Sequence, residues 1–412
     1  MYIQLVAHKT PGGIPMPWPF VRKSSAVLAS DVTGSSCSPS TRFAFRLFRE
    51  LVSGDDTNVF FSPSSVMLCL AMVHEVASGK TRQAMAQALE IAGLDPIATN
   101  LTIIGLKALF HGRDHLEVMG ANSLWCSDRV QVRPECAAKL RDIYDAELTT
   151  LDFAAPDAVP RINAWVNERT KSRISHILDE LSPLAAMVAV NAIYFKGRWA
   201  IPFYRELTRD GVFTTSTGQK RQLPMMWQSG MYSYYEDDES QAVVLDYEGD
   251  MAMCVILPVA GTNARQFQQS LSSGAWESRL ARFEEVAGTI QIPRFKLDYR
   301  AQLERALKTL GMECAFDRNQ AEFDGVRAGQ LPVWIDQVFH RAVAEVIEEG
   351  TEAAAATMVI MKRLSSLASI KRPSRHFEMV MDRPFFVVIR DETTGTILFM
   401  GWVGNPGRVA LS

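Results

Sequence analysis

The sequence lacks several features by which large classes of protein are recognised. Its six cysteines are scattered, without a CxxC pair or a dense framework, so we expect them to be reduced or structurally incidental. No apolar run approaches the roughly 20 residues that span a bilayer, which predicts a soluble protein. An excess of one charge is also missing: a net charge of -3 and a pI near 6.2 provide no general attraction to nucleic acids or membranes.

Catalytic signatures are equally scarce. The chain has no GxSxG, HExxH, GxGxxG or QACxG-like motif. Residues 78–81 (SGKT) end like a phosphate-binding loop, but that motif needs glycine where His74 stands. HGRDH at 111–115 offers two histidines for a metal, yet no third ligand is evident, and a solvated helix end is the simpler interpretation. We therefore expect no enzyme, no metal and no other cofactor.

What the chain does have is one long, uninterrupted series of apolar elements. At 412 residues and 47% hydrophobic content it can bury a large core. Residues 1–40 are rich in Pro, Gly and Ser, which predicts a flexible N-terminal extension without a convincing secretory signal. Residues 41–412 contain no linker or repeat, so we predict one domain there.

Helices dominate the first half of the chain and strands the second, which predicts an α+β architecture rather than a doubly wound one. Ser62 and Pro63 predict a helix start, with serine as the cap and proline at the first helical position. Residues 384–406 predict a buried hairpin around a Thr-Thr-Gly turn. The remaining predictions are helices at 41–51, 65–77, 80–91, 134–145, 156–174 and 301–311, and strands at 58–61, 117–126, 147–153, 185–196 and repeatedly from 224 onward.

One tract of very small side chains needs a separate explanation. EEGTEAAAAT, at 348–357, follows the apolar, β-branched segment 338–348 and precedes the basic run 361–376. Its composition favours a helix, and a turn of surface helix is the simplest local interpretation. That interpretation does not explain why the tract lies between a predicted buried strand and a predicted exposed loop.

Four segments together carry a family pattern: NVFFSPSSV (58–66), VNAIYFKGRWAIPF (190–203), EEGTEAAAAT (348–357) and DRPFFVVIRDETTGTILFMGWVGNP (382–406). In this order and spacing they resemble the serpin family of serine protease inhibitors. The resemblance implies one domain of three β-sheets and about nine helices, with an exposed reactive-centre loop near the C-terminus. It also implies an extracellular protein, although the absence of a clear signal peptide keeps a cytoplasmic location open.

The resemblance implies that a target serine protease cleaves this loop, which then inserts into the main sheet and traps the protease covalently. Alternate side chains of a strand face opposite ways, so the small residues at 351, 353, 355 and 357 would point together beneath the sheet. The implied hinge comprises Glu348, Glu349, Gly350, Thr351, Glu352, Ala353, Ala354, Ala355, Ala356 and Thr357.

Two further groups of residues match family features individually. The resemblance implies a shutter cluster under the main sheet and a breach cluster where the loop first enters, with an ion pair between Arg294 and Glu348. An ordinary hydrogen-bonded buried polar group is the alternative for each shutter residue. The shutter residues are Ser62, Ser65, Asn191 and His340, and the breach residues are Trp199, Arg294 and Glu348.

The bond that a protease would cut follows from the spacing of the family. Counting about seventeen residues from Glu348 gives Leu364 as the specificity residue and Leu364–Ser365 as the bond, which suits a chymotrypsin-like or elastase-like protease. Arg363, which suits a trypsin-like protease, is the alternative. The basic residues Lys371, Arg372 and Arg375 are further exposed candidates, because the loop is longer than usual in the family.

Other partners and functions follow from the same resemblance. Some relatives bind heparin through a helix that would fall at 97–111, but Lys107 is the only lysine or arginine there, so we expect no polysaccharide cofactor. We expect a monomer whose partner is a serine protease, with no nucleic acid and no membrane. The alternative function is a non-inhibitory serpin that acts as a carrier, storage protein or chaperone.

Overall fold

The computed structural model describes residues 37–52, 58–110, 116–327, 332–348 and 375–407. Within these ranges the α-helices are α1 (Pro39–Leu51), α2 (Pro63–Val76), α3 (Gly79–Ala88), α4 (Pro96–Ala108), α5 (Pro134–Asp142), α6 (Ala158–Arg169), α7 (Ala264–Ser270), α8 (Ser273–Leu280) and α9 (Glu304–Leu307). None of these helices is both long and apolar enough to cross a membrane.

The described strands form a five-stranded sheet, a nine-stranded sheet and a two-stranded ribbon. They are β1 (Val59–Phe61), β2 (Leu116–Ser127), β3 (Gln131–Val132), β4 (Glu147–Leu151), β5 (Met187–Gly197), β6 (Arg209–Thr214), β7 (Lys220–Glu236), β8 (Ser240–Asp246), β9 (Met251–Pro258), β10 (Glu284–Pro293), β11 (Phe295–Gln302), β12 (Val326–Arg327), β13 (Ile335–Val346), β14 (His376–Val380), β15 (Phe385–Asp391) and β16 (Ile397–Val403). The α+β prediction is confirmed.

The start of α2 shows how local sequence signals place an element of the core. Ser62 Oγ accepts a hydrogen bond from the backbone N–H of Ser65 at 3.2 Å, and Pro63 occupies the first helical position. Such a cap satisfies one of the donors that every helix start leaves unpaired. The predicted helix start is therefore confirmed. Nearly every side chain of α2 is buried, because the helix runs beneath the five-stranded sheet.

The nine-stranded sheet contains the C-terminal hairpin of β15 and β16. Its strand order is β1-β16-β15-β9-β8-β7-β10-β14, with β6 added on β7. The hairpin is antiparallel and places Phe386 opposite Trp402, both fully buried. Gly395 adopts φ +70° in the connecting turn, a conformation that glycine reaches without strain. The predicted buried hairpin is confirmed.

The five-stranded sheet has the order β11-β13-β5-β2-β4. Its central strand β5 is buried on both faces, except at Lys196. On one face, Ala189, Ile193 and Phe195 join the large core that includes α2. On the other face, Val188 and Val190 pack in a second cluster with α6. The sheet is thus covered on both sides, as expected for strands that carry few polar residues.

Some elements differ from the sequence predictions. A helix was expected over 301–311, but β11 extends to Gln302, and the α-helix covers only Glu304–Leu307 before π and 3-10 turns. Gly311, at φ +106°, interrupts the helical backbone there. Helices α7 and α8 and strand β6 were not predicted, and α1 begins at Pro39 rather than at 41. The division into an extension (1–40) and a domain (41–412) stays a prediction.

Candidate functional site

Near the centre of the five-stranded sheet, β5 and β13 are in direct parallel contact, which we call the seam. The two strands pair from Ile335–Met187 to Ala344–Phe195, while β5 pairs antiparallel with β2 on its other side. The chain leaves β13 at Glu348. A segment that turned back here would run antiparallel to β13, and also to β5, because those two strands are parallel. The seam can therefore accept one additional strand with an antiparallel ladder on each side.

A row of polar side chains crosses the middle of the seam. Asn122, Asn191 and His340 lie opposite one another on β2, β5 and β13. The amide nitrogen of Asn191 donates to Ser65 Oγ at 2.6 Å and to Asn122 Oδ1. Asn191 Oδ1 accepts from His340 Nδ1 at 2.5 Å. The backbone N–H of Ser62 donates to His340 Nε2 at 3.4 Å, so α2 is joined to both seam strands.

The hydrogen bonds of His340 fix its protonation state. Nδ1 carries a proton because the oxygen of Asn191 can only accept, and Nε2 is an acceptor for a backbone N–H. The ring is fully buried, and this burial lowers its pKa to about 3. A neutral imidazole is the only form that satisfies both contacts. Opening of the seam would separate His340 from Asn191 and expose both to water.

The end of the seam at Glu348 is closed by a buried ion pair. Arg294 Nε donates to Glu348 Oε2 at 2.8 Å, and Nη2 of the same arginine donates to Oε1. Thr208 Oγ1 donates to Glu348 Oε1 at 2.8 Å. Burial raises the pKa of Glu348, but the hydrogen bonds from Arg294 and Thr208 outweigh it, so the pKa is lowered overall. Trp199 Nε1 donates to the carbonyl oxygen of Ile347 at 2.9 Å, which fastens the adjacent residue as well.

Ion pairs also hold the chain at Arg375, the first described residue after 374. Arg375 forms an ion pair with Glu236 at 2.8 Å and approaches Glu284 at 3.8 Å. The hydroxyl of Tyr234 donates to Glu236 at 2.5 Å and its ring lies 6.0 Å from the Arg375 guanidinium. Strand β14 follows at once and pairs with β10. Glu348 and Arg375, the described residues on either side of 349–374, are thus each held in a charged cluster.

Residues 38–406 match a protein-family model described as Serpin (serine protease inhibitor). The chain belongs to the serpin family. The recognition made from four sequence segments is therefore confirmed, and so is the fold that it implied. Members of the family are in general protease inhibitors that act on proteases and are not themselves enzymes.

Relatives of this serpin come from several branches of life. An uncharacterized serpin-like protein of Thermococcus kodakarensis is 35% identical over 368 residues, which cover 88% of this chain and 84% of that protein. The leukocyte elastase inhibitor of Bos taurus is 33% identical over 381 residues, covering 89% of this chain and 98% of that protein. Serpin A9 of Homo sapiens is 32% identical over 415 residues, covering 97% and 95%.

Solved structures agree with this fold. The thermophilic serpin tengpin in its native state has a TM-score of 0.82 at 23% identity, covering 92% of this chain and 96% of that one. Thyroxine-binding globulin in complex with thyroxine has a TM-score of 0.77 at 26% identity, covering 90% and 98%. The first likeness shows the fold alone.

The structure brings together the residues that the family resemblance selected. Ser62, Ser65, Asn191 and His340 form one hydrogen-bonded cluster, and Trp199, Arg294 and Glu348 gather at the end of β13 with the expected ion pair present. The sequence analysis missed one residue of each cluster, Asn122 in the first and Thr208 in the second. Asn122 could have been found only from strand register, and Thr208, which directly precedes β6, only from the folded structure, since neither lies in a recognised motif. Of the hinge, Glu348 alone is described; residues 349–357, Arg363, Leu364 and Ser365 lie outside the described residues.

The phosphate-loop-like segment at 78–81 has a structural role. Glu322 accepts a hydrogen bond from the backbone N–H of Lys80 at 2.6 Å, at the start of α3. The hydroxyl of Thr81 accepts from the backbone N–H of Glu322 at 2.9 Å. An acidic side chain of the same chain therefore binds the helix N-terminus. HGRDH at 111–115 lies outside the described residues.

The cysteines fit the expectation of reduced thiols. All six are free, and Cys37, Cys69, Cys126 and Cys254 are buried. Burial raises the pKa of Cys69, Cys126 and Cys254 to about 12. Since the thiolate is the reactive form, these three thiols are chemically inert in the folded protein.

Proposed function

We propose that this serpin inhibits a serine protease as a suicide substrate, by insertion of its cleaved loop into the seam. The observation that carries the proposal is the direct parallel pairing of β5 with β13 in a five-stranded sheet. This arrangement supports an uninserted state, in which the position between the two strands is still available. The buried polar contacts along the seam support the same interpretation, because they can be exchanged when the strands separate.

The protease, and not the serpin, supplies the nucleophile for the reaction. Its serine oxygen attacks the carbonyl carbon of the scissile bond, an ester forms, the peptide C–N bond breaks, and the new amino group takes the proton. The loop segment that follows Glu348 then inserts between β13 and β5 and carries the esterified protease with it. A displacement of about 1 Å in an active site reduces the rate by about 100-fold. Hydrolysis of the ester therefore stalls.

The free energy of this step follows from the strand count. Nine residue pairs join β5 to β13. Insertion replaces this one parallel ladder by two antiparallel ladders, a net gain of about one ladder. At about 1 kcal/mol for each hydrogen bond, the gain is on the order of 10 kcal/mol, comparable with the stability of a whole domain. The uncleaved form is consequently held by a kinetic barrier.

The small residues of the hinge favour inhibition over the carrier alternative. Inserted side chains at Thr351, Ala353, Ala355 and Thr357 would meet the buried underside of the sheet, where α2 lies. Bulky or charged groups there would prevent insertion. Thyroxine-binding globulin shares the fold and binds thyroxine, so a carrier function remains the alternative.

The decisive experiment mixes the protein with a panel of serine proteases and separates the products by denaturing electrophoresis. We expect a covalent complex of one chain with one protease. Thr351→Arg should convert the protein into a cleaved substrate, because the arginine would have to be buried. Glu352→Arg is the matched control, since residue 352 would face the opposite way, and it should still inhibit. Cleavage without any stable complex for every active protease would favour the carrier alternative.

The scissile bond is proposed to be Leu364–Ser365, with Arg363–Leu364 as the alternative. Mass spectrometry of the C-terminal fragment from an inhibited protease distinguishes them. A fragment that begins at Ser365 supports an apolar specificity residue, and one that begins at Leu364 assigns a trypsin-like target. Cleavage after Arg375 is disfavoured because that side chain is engaged by Glu236 and Glu284. A start beyond residue 370 would overturn the spacing argument.

A further inference from the structure

A pocket lies at the end of the seam opposite Glu348. It is a depression open to solvent, with about 410 Å³ of free space when the adjoining solvent is counted, and its lining includes Ala186 and Trp334. These two residues immediately precede Met187 and Ile335, which form the first cross-strand pair of the seam. The pocket therefore lies across the foot of the seam, with one wall attached to β5 and the other attached to β13.

Each wall carries an arginine. Arg129 lines the β5 side, where its Nε donates to Ser127 Oγ at 3.1 Å and its Nη2 donates to the carbonyl of Pro183 at 2.9 Å. These bonds use two of its five N–H groups. Arg318 lines the β13 side with its guanidinium 5.3 Å from the Trp334 ring centroid, and it has no hydrogen-bond or ion-pair partner among the described residues. Two guanidinium groups thus border one pocket from opposite sides of the seam.

Apart from the two arginines and Ser127, whose hydroxyl already accepts from Arg129, the side chains of the lining are apolar. Val130, Ala185, Ala186 and the Trp334 ring form the inner surface, and Leu184 stands 68% exposed at the mouth. The described lining contains no carboxylate. A ligand that satisfies this surface needs one anionic group for the arginines and an apolar ring for the remaining area. A carboxylate suits the arginines, because the planar fork of Arg318 can bind both oxygens while Arg129 supplies a further donor.

We propose that this pocket binds a small aromatic carboxylate, and that the bound ligand holds the foot of the seam closed. An inserted strand would move β5 and β13 apart by about 4.8 Å, the spacing of neighbouring strands. The two arginines would separate with them, and a carboxylate between them would lose one of its partners. The ligand therefore binds the uninserted sheet more tightly than the inserted sheet, and by linkage it makes insertion less favourable. It also slows insertion, because the foot of the seam must open before the strand is fully inserted. This second consequence rests on the proposed inhibitory function, whereas the binding itself does not.

The binding test uses isothermal titration of the full chain with benzoate. Benzamide has the same shape without the charge, and acetate has the charge without the ring. We expect saturable binding of benzoate and at least tenfold weaker binding of both analogues. Arg318→Ala and Arg129→Ala should each weaken benzoate binding at least tenfold, while Arg161→Ala, an exposed arginine on α6, should leave it unchanged. Equal binding of acetate and benzoate, or no binding of benzoate, would overturn the proposed ligand class.

The coupling test measures how many molecules of serpin are consumed for each protease molecule inhibited. Saturating benzoate should raise this ratio, because slower insertion lets the ester hydrolyse, and Arg318→Ala should abolish the change. If benzoate binds but leaves the ratio and the complex unchanged, the coupling is wrong. If benzoate binds and no covalent complex forms with any protease, the inhibitory function fails while the pocket stands.

Discussion

The seam between β5 and β13 and the hairpin of β15 and β16 are both central, buried strand pairs, yet they are held together in different ways. The hairpin is antiparallel and joined by fully buried aromatic residues such as Phe386 and Trp402. The seam is parallel, and a side-chain hydrogen bond crosses it between Asn191 and His340. Apolar contacts lose free energy in any open state, whereas polar groups that become solvated recover part of theirs. In the proposed mechanism, the seam is therefore the place at which opening costs the least free energy.

The largest expected effect concerns the ion pair between Arg294 and Glu348, at the end of the seam opposite its foot. Glu348→Ala would leave the buried Arg294 without its partner, which should destabilise the uninserted fold by about 3–5 kcal/mol. The measurements are the urea midpoint of unfolding and the rate of spontaneous insertion, in which the uncleaved loop enters the seam without a protease. Glu345→Ala is the control, because Glu345 pairs with Lys296 at the surface and should contribute below about 1 kcal/mol. Equal effects of both variants would contradict a special role for the buried pair.

A comparable loss of stability in the hairpin should leave insertion unchanged. Phe386→Ala removes a ring that packs edge-on against Phe48, with centroids 5.0 Å apart, and also contacts Phe45. Truncation of a buried phenylalanine costs about 3–5 kcal/mol. We expect a lower urea midpoint with the usual ratio of serpin consumed to protease inhibited. An altered ratio would show that the hairpin takes part in opening, which would remove the contrast between the two regions.

Acid should weaken the seam through His340. Its folded-state pKa of about 3 lies below the unfolded value near 6.5, so its stabilising effect is complete above pH 6.5 and is lost as the pH falls toward 3. The loss amounts to about 1.4 kcal/mol per pH unit within that window. The urea midpoint of unfolding should therefore decrease as the pH is lowered from 7 to 5. The decrease should be smaller in His340→Gln than in the wild type.

His74 provides the matched control for this pH effect. Burial, and then the nearby Arg82, lower the pKa of His74 to about 4, so His74→Gln should also reduce the slope of stability against pH. His74 lies on α2 and does not cross the seam. Acid should accelerate spontaneous insertion in the wild type and in His74→Gln, but not in His340→Gln. Acceleration in all three would place the acid-sensitive group elsewhere.

The sequence was sufficient for elements whose signals are local. The Ser62–Pro63 helix start and the C-terminal hairpin depend on neighbouring residues, and both were predicted correctly. The predicted helix over 301–311 was wrong in its first turn, because Gln302 pairs with Phe339 on a strand far away in sequence. Helix α7 (ARQFQQS) was missed because its mainly polar composition carries little apolar periodicity.

The functional residues also divide into those that the sequence identified and those that only contacts between distant segments reveal. The family pattern selected Asn191, His340 and Glu348, but strand register alone reveals that Asn122 completes their row. Arg375, named among the exposed basic residues, is exposed, and the structure adds an ion pair with Glu236 that the sequence does not indicate. Contacts between distant segments decide such cases, and no local pattern of residue types encodes them.

The smallest expected effect concerns Trp199, whose indole N–H donates to the carbonyl of Ile347 and whose ring stacks on Tyr247 at 4.3 Å. Trp199→Phe keeps an aromatic ring against Tyr247 but loses the hydrogen bond, at a cost of about 1 kcal/mol. The end of β13 would be released slightly, so spontaneous insertion should accelerate by several-fold. Trp276→Phe is the control, because the buried indole N–H of Trp276 has no partner among the described residues. Trp276→Phe should lose ring contacts without any change in the insertion rate. Equal acceleration by both substitutions would assign the effect to ring size rather than to the hydrogen bond that Trp199 donates to Ile347 at the end of β13.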